Sequence, residues 1–312
     1  MNGASVERVA RALLYEGYML YPYRRSAVKN RQRFNFGVIY PEPHSRALQG
    51  IDPCEMQTEC LLRAGADTGL DVTVRFLHLF ERAPERPGEA VWHEAIERAV
   101  TIRGVSIGEL LVVPRSLPLV VSVEDAPGRR IGLEGRVEVA AEPASPDVFL
   151  VRVRIANLTP MEPVDLPSRD EVMLRSLVSA HTILRAAGGE FISLIDPPAP
   201  FKALAGACRN VGTWPVLAGD DGARDTLLSS PIILYDFPGI APESPGDFFD
   251  GTEMDEMLSL RILTLTDEEK REMSASDERA RLLLERTEAS GPEELMRMHG
   301  VLRQIRALEE AP

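Results

Sequence analysis

The chain has 312 residues, which is enough for one large domain or two ordinary ones. Hydrophobic residues make up 44% of it and charged residues 27%, a composition typical of globular proteins and unlike that of disordered or fibrous ones. The formal net charge of -13 disfavours general nucleic-acid binding, because a protein needs a basic surface to neutralise phosphates. We therefore expect a globular protein in which any binding of nucleic acid is confined to a local basic segment.

Membrane and secretion signals are not evident. No apolar run approaches the roughly 18 residues of a membrane span, and residues 1–15 lack the basic and then apolar layout of a secretion signal. Cys54, Cys60 and Cys208 form a sparse, odd-numbered set, which argues against a disulfide framework and fits a reducing compartment. The sequence thus predicts a cytoplasmic protein with no membrane partner.

A basic and aromatic segment follows the first predicted helix, which runs from Ser5 to Gly17. We call it the basic–aromatic arm. Its candidate binding residues are Tyr21, Tyr23, Arg24, Arg25, Lys29, Arg31 and Arg33. Three interpretations stay open: rings and cations that grip a single strand, a solvated loop with core aromatics, or a surface that forms arginine–carboxylate pairs with an acidic partner or with this chain's own acidic loop.

That acidic loop spans residues 236–256 and is interrupted by three prolines. Its carboxylates lack the twelve-residue register of an EF-hand, so calcium binding is a weak alternative to protein binding. The candidate binding residues here are Asp247, Asp250, Asp255 and Glu256. The apolar run Ile232–Tyr235 just before the loop has the length of a buried strand.

The middle of the chain alternates apolar and polar residues with a period of two. This pattern predicts strands at 70–80, 117–123, 133–141 and 149–156, the last two forming a hairpin. Sheets that alternate in this way have one wet face, so we expect an antiparallel sheet or sandwich over residues 70–157. Residues 92–100 fit a helix or a strand, and residues 55–62 suggest a short helix.

The remainder of the chain is predicted to be mostly helical. Ser168 and Glu171 can form a capping box for a helix that reaches the glycines at 188–189, and a strand is expected over residues 190–195. Further helices are predicted up to Leu260, after Thr266, over 277–287 and over 292–308. The expected class is α+β, with an N-terminal helix and arm (1–69), an antiparallel β region (70–160) and a mostly helical part with the acidic loop (161–312), all of which could pack as one domain.

Two sets of residues are candidates for chemistry. Cys208, His181 and Asp196 could form a cysteine–histidine–aspartate set in a hydrolase or transferase, although a histidine on an apolar helix face is usually a core residue. His44, Cys54 and Cys60 could bind a metal, but the spacing of the cysteines is not that of a zinc site. No phosphate-binding loop, dinucleotide fingerprint or nucleophile elbow is present, and no cofactor is predicted.

The chain resembles an uncharacterised bacterial protein family in two places. Residues 14–18 and 20–24, with Ser26-Ala27 and Lys29-Asn30-Arg31, are similar to the opening of that family, and residues 229–231, 241–247 and 255–256 to its later part. The family is associated with gene clusters for aerobic nickel-iron hydrogenases, and no active-site motif defines it. The resemblance implies a binding or assembly factor with a protein partner, which is the leading functional expectation. A cysteine-dependent enzyme and a metal-handling protein are the alternatives.

Overall fold

The structure is a computed structural model that describes residues 2–27, 29–30, 33–82, 92–123, 128–161, 168–240, 244, 246, 255–291 and 293–294. The helix expected over residues 292–308 lies outside this part of the chain except for Glu293 and Glu294. The class is α+β, as predicted. None of the described helices is both long enough and apolar enough to cross a membrane.

The helices lie mainly at the two ends of the chain. Their bounds are α1 Asn2–Leu14, α2 Glu42–Ala47, α3 Ile107–Val112, α4 Arg169–Met173, α5 Lys202–Ala207, α6 Asp255–Leu263, α7 Asp267–Ser276 and α8 Glu278–Ala289. The strands are β1 Glu55–Arg63, β2 Gly69–Arg82, β3 Trp92–Ser106, β4 Arg115–Val121, β5 Leu133–Ser145, β6 Val148–Asn157, β7 Val178–Ala187, β8 Glu190–Ile192, β9 Trp214–Leu217 and β10 Thr226–Ser230.

The strands form two antiparallel sheets that share one core. The first sheet has the order β4-β5-β6-β1-β8 and the second β3-β2-β7-β10-β9. Alternate residues of each sheet, such as Val137 and Val153 in the first and Val72 and Val74 in the second, are buried in the same apolar cluster. The molecule therefore contains a β-sandwich, in which burial of each such side chain contributes about 1.5–3 kcal/mol.

The period-two pattern located the central strands correctly. β5 and β6 form the predicted hairpin, with Val137 opposite Ile155 and Val139 opposite Val153. The ambiguous segment at residues 92–100 is part of β3, which pairs with β2 along its length. These strands each turn one face to water, and that exposure produces the clean alternation.

Two predicted helices were wrong. Residues 55–62 form β1, and the helix expected to continue from residue 173 to the glycines at 188–189 instead ends at Met173 and is followed by β7. Both strands are central and covered on both faces, because Cys60 and Leu62 face the common core while Leu61 packs under α5. An apolar run buried on both faces has no alternation, so its pattern does not separate helix from strand.

The strand predicted over residues 232–235 was also wrong. The strand of this region is β10, which ends at Ser230. Ile233 and Tyr235 follow it with 73% and 85% of their surfaces exposed. These two apolar residues therefore lie on the surface.

Helices cover part of the outer face of each sheet. α1 packs Val6, Val9 and Ala10 against Ile183 and Leu228 of the second sheet. Its polar residues reinforce this contact, since Glu7 accepts a hydrogen bond from Arg75 of β2 at 2.7 Å. α5 lies against the first sheet in a cluster with Leu61 and Ile192. The alternating pattern predicts that the outer faces of the sheets are exposed to water, but these helices partly bury them.

The chain divides into two compact units, and each unit is built from two separate stretches. Unit 1 comprises Met1–Glu16 and Phe34–Gly239 and contains the sandwich with α1 to α5. Unit 2 comprises Gly17–Arg33 and Ile240–Pro312 and contains the basic–aromatic arm with α6 to α8. These units cross the boundaries expected after residues 69 and 160, because β1 and β7 to β10 complete the two sheets.

Candidate functional site

A β-bulge near the end of β3 shapes the surface of greatest functional interest. Leu70 pairs with Val105 and Val72 with Ile102, so β3 has one extra residue at this point. Gly104 lies in the bulge with φ of +59°, a left-handed conformation that glycine adopts without the strain of a side chain. Its N–H donates a 2.7 Å hydrogen bond to the Asp71 carboxylate. Bulges generally change the direction in which the neighbouring side chains of the strand point, and this one lies on an edge strand.

The helix α3 connects β3 of the second sheet to β4 of the first. Ser106 and Glu109 cap its N-terminus reciprocally: the Glu109 N–H donates to the serine hydroxyl, and the Ser106 N–H donates to the glutamate at 2.9 Å. These hydrogen bonds from Ser106 hold the pKa of Glu109 below its ordinary value, with a smaller contribution from Arg115. Ile107 and Leu110 anchor the helix in the core. α3 therefore holds the edge strands β3 and β4 next to one another.

A cleft of about 670 Å³ lies between these two edge strands and α3. We call it the arginine cleft. Ile102, Val105 and Leu117 supply apolar lining, and Arg103 and Arg115 supply positive charge. The other lining residues are Thr101, Gly104, Glu109, Val113, Pro114 and Ser116.

The two arginines of the cleft are available to a ligand. Both are exposed, and within the described residues neither forms a hydrogen bond or an ion pair. The acidic residues of β3 are already neutralised, since Glu94 pairs with Arg82 at 3.0 Å and Glu97 pairs with Arg75. With Glu109 also in its lining, the cleft holds two cations and one carboxylate, a local excess of positive charge in a chain of net charge -13.

Three exposed apolar residues lie at the end of α3, and the last of them, Val113, lines the cleft. Leu111, Val112 and Val113 are consecutive and exposed, Val112 to 86% and Val113 to 63%. Val120, farther along β4, is 68% exposed. Single exposed apolar residues are ordinary, but three in sequence beside a cleft are typical of a contact surface.

The predicted nucleophilic residues lie in different surroundings. His181 is fully buried in β7, where one ring nitrogen is 3.0 Å from the Ser179 carbonyl and burial lowers its pKa to about 4. Cys208 follows α5, where burial and, to a smaller extent, the nearby Glu59 raise its pKa to about 11, and Cys208 in turn contributes to the raised pKa of Cys60. A protonated thiol is a poor nucleophile, so this environment opposes the chemistry expected of Cys208.

Asp196, the third member of that set, lies in the turn after β8. The backbone N–H of Asp196 donates to the Ser193 hydroxyl at 2.9 Å, and Asp196 is exposed to solvent. Ser193 also donates to Asp236, at 2.5 Å. These contacts stabilise the turn and do not join Asp196 to His181 or Cys208.

The predicted metal ligands are not assembled into a site. His44 contacts the Asp52 carboxylate at 2.8 Å, Cys54 is half-buried, and Cys60 is fully buried in the sandwich core, which raises its pKa. In the part of the chain that the structure describes, no group of three or more histidine, cysteine or carboxylate side chains is arranged to hold a metal ion.

Two cations of the basic–aromatic arm contact α7 within unit 2. Arg24 forms ion pairs with Glu269 at 3.2 Å and Glu272 at 3.8 Å. Arg25 donates to the Ser276 carbonyl at the end of α7, from its Nη2 at 2.5 Å and its Nε at 3.1 Å. The cations thus satisfy the negative end of a helix and two carboxylates of the same chain.

The aromatic residues of the arm are structural as well. Tyr23 is fully buried, and the Tyr21 ring lies edge-on to it. The Arg261 guanidinium lies over the Tyr21 ring, 5.4 Å from its centroid. Arg33 is buried and donates to the Tyr18 carbonyl at 3.1 Å. The binding role predicted for these residues stays a prediction, and using them for a partner requires breaking these contacts.

The rest of the predicted binding surface is only partly described. Lys29 is exposed, and Asp255 and Glu256 form the first turn of α6, where carboxylates favour the positive end of the helix. Arg31, Asp247 and Asp250 lie outside the described residues. The carboxylates seen in ion pairs with Arg24 of the arm, those of Glu269 and Glu272, belong to α7.

Sequence reasoning missed the arginine cleft. Its two arginines are 12 positions apart and neither belongs to a run of charge. Two local signals were present: a glycine within a strand pattern, which is typical of a bulge, and the Ser106-x-x-Glu109 capping box, which marks a helix between two strands. Neither signal alone indicates that the strands on each side become facing sheet edges.

Comparison with known proteins adds no family or function to this geometry. Neither a protein-family model nor a curated protein matches the chain.

Proposed function

We propose that this protein is a binding or assembly factor that recognises another protein through the arginine cleft. The observation that carries the proposal is the pair Arg103 and Arg115, both exposed and available, at one 670 Å³ cleft. The apolar side chains of Leu111, Val112 and Val113 enlarge the contact area beside it. Protein interfaces combine apolar surface with arginine in this way.

This proposal differs from the sequence expectation in where the partner binds. The basic–aromatic arm is already engaged with unit 2, whereas the arginine cleft offers charge that is not used in the described part of the fold. The partner chemistry that fits is acidic with apolar neighbours. The resemblance to proteins associated with aerobic nickel-iron hydrogenases supplies the first partner to test, and that association is itself a proposal.

The test is cross-linking capture from an extract of the native host, followed by identification of the captured proteins. Wild-type protein is compared with Val112→Asp, next to the cleft-lining Val113, and with Ile51→Asp, a matched control at a position of unit 1 that is 81% exposed and does not line the cleft. We expect a defined protein to be retained by wild type and Ile51→Asp and lost from Val112→Asp. Recovery of the same proteins by all three chains contradicts the proposal, and absence of hydrogenase components contradicts the hydrogenase version.

A further inference from the structure

We propose that the ligand of the arginine cleft is an extended peptide segment of the partner that pairs with the free edge of β3 and carries a carboxylate between Arg103 and Arg115. This inference rests on the proposed function and specifies the partner's chemistry. It follows from a comparison of the two edge strands, from the charge of the cleft, and from the spacing of side chains on a strand.

Both sides of the cleft are sheet edges. β3 pairs with β2 and β4 pairs with β5, and no other described strand pairs with either on its opposite side. In an antiparallel ladder, alternate residues of an edge strand direct their N–H and C=O groups away from the neighbour. Such groups bind an incoming strand readily, which is how many proteins capture extended peptides.

The two edges are not equally suited to accept a strand. β4 has seven residues and contains Pro118, which has no N–H to donate, a common protection of edge strands. β3 has fifteen residues and no proline. The bulge at Gly104 ends its regular part at the cleft. The geometry therefore favours pairing on β3, with the peptide alongside its residues 92–103.

Charge specifies what the peptide carries. The carboxylates Glu94 and Glu97 of β3 are paired with arginines of β2, so they do not oppose an acidic ligand. Neither Arg103 nor Arg115 forms an ion pair within the described residues, although Arg115 lies close enough to Glu109, which also lines the cleft, to help lower its pKa. The two arginines still leave an excess of one positive charge over Glu109. A guanidinium pairs well with a carboxylate, in a forked geometry when both oxygens are accessible.

Strand geometry adds a second requirement. Successive side chains of a strand point to opposite faces, so only every other residue of the peptide lies on the side of Arg103. A carboxylate at one such position would meet Arg103 and Arg115. Ile102 and Val105 face the core on the other side of β3, so the residues next to the carboxylate lie on the side of this apolar lining. The recognised pattern is therefore an acidic residue with apolar residues directly beside it.

The test uses a fluorescein-labelled nine-residue peptide in which threonine and valine alternate. The threonine at its centre is replaced by glutamate, so that a valine stands on each side of the acidic residue. Binding is measured by fluorescence anisotropy. Because exposed arginine–carboxylate pairs contribute up to about 1 kcal/mol, we expect Arg103→Ala or Arg115→Ala to weaken binding about two- to fivefold. Replacing the peptide's glutamate by glutamine is expected to have a similar effect.

A matched protein variant controls for general electrostatics. Arg136 is exposed on β5, has no ion pair within the described residues and does not line the cleft, so Arg136→Ala should leave peptide binding unchanged. Arg103 and Arg115 are exposed as well, and thermal unfolding of each variant confirms that it folds. An equal loss of binding in Arg136→Ala would overturn the specific pairing.

Amide hydrogen exchange identifies the strand that accepts the peptide. Added protection within residues 92–103 supports the inference, whereas protection within 115–121 instead assigns the site to β4 and overturns it. Protection of β3 without peptide, together with self-association in sedimentation, would identify a second copy of this chain as the occupant. Displacement of the peptide by equimolar acetate or inorganic phosphate would identify a small-anion site only.

The outcomes separate this inference from the proposed function. If Val112→Asp loses its captured protein but no peptide binds, the inference fails and the proposed function stands. If the peptide binds as expected but Val112→Asp and Ile51→Asp retain the same proteins, the proposed function fails.

Discussion

Replacing the buried histidine of β7 should remove a specific part of the pH dependence of unit 1. His181 is fully buried on the face of the second sheet that it shares with Ile183, against which α1 packs. Burial is the main reason that its pKa falls from 6.5 to about 4, with a smaller opposing effect of the Ser179 carbonyl and weaker effects of Arg75 and Glu97. The folded protein therefore holds this imidazole neutral under conditions in which the unfolded chain protonates it.

The direction and size of the effect follow from proton linkage. Between pH 6.5 and pH 4 the unfolded state binds a proton at His181 that the folded state does not, so the free energy of unfolding decreases as the pH falls through this window. With these two pKa values the loss is about 1.4 kcal/mol at pH 5.5 and about 2.5 kcal/mol at pH 4.5, relative to pH 8. Above pH 6.5 the histidine contributes almost no pH dependence.

Urea unfolding followed by tryptophan fluorescence measures the effect. The two tryptophans, Trp92 and Trp214, both lie in unit 1, so the signal reports this unit. We expect His181→Gln to lower stability at pH 8 but to lack the additional loss of about 2.5 kcal/mol at pH 4.5. His44→Gln, on the half-buried histidine of α2, is the matched control. If wild type and His181→Gln lose stability in parallel down to pH 4.5, the imidazole is not held neutral by burial and the reasoning is refuted.

Two further predictions concern unit 2 and the cysteines. Arg25→Gln should speed amide hydrogen exchange in α7 and α8, because the Ser276 carbonyl loses its charged donor and local stability falls by about 1–3 kcal/mol. Lys29→Gln, at an exposed position, should leave this exchange unchanged. Equal exchange in both variants would contradict the prediction. Cys208 should react with iodoacetamide at a rate that still rises about tenfold per pH unit at pH 9, because burial first and Glu59 second raise its pKa to about 11. Mass spectrometry of the labelled peptide measures this rate. If the rate levels off near pH 8.5, Cys208 is an ordinary thiol and the prediction is wrong.

The accuracy of the sequence-based predictions depended on how many faces of an element are buried. β2, β5 and β6 alternate because one side of each is wetter than the other, and they were located correctly. β1 and β7 each have a strand on either side and a helix over their outer face, and their apolar residues fall on both faces. Only their pairing with β6 and β2 identifies them as strands, and the residues that supply this pairing are far away in sequence.

Helix starts at capping residues were predicted correctly for the opposite reason. Thr266 and Glu269 form reciprocal hydrogen bonds at the start of α7. At the start of α4, Ser168 accepts from the Glu171 N–H, which is one half of the predicted capping box. The Glu171 carboxylate instead pairs with Arg129 and Arg175. The capping contacts join residues three positions apart, so the local sequence contains both partners. The local sequence does not determine the length of the helix that follows. This explains why α4 begins as predicted but ends at Met173, well before the glycines at 188–189.

Charge was the least transferable signal, because its meaning depends on what the fold brings opposite it. The arginines of the basic–aromatic arm form the most evident cationic run in the sequence, and the structure places Arg24 and Arg25 against carboxylates and carbonyls of α7. Arg103 and Arg115 are isolated in sequence but meet at one cleft. A cation that is already paired must lose its partner before it binds another, whereas one that is solvated loses only water. In a chain of this net charge, the arginines best placed to attract an acidic partner are therefore those that the fold has not used for itself.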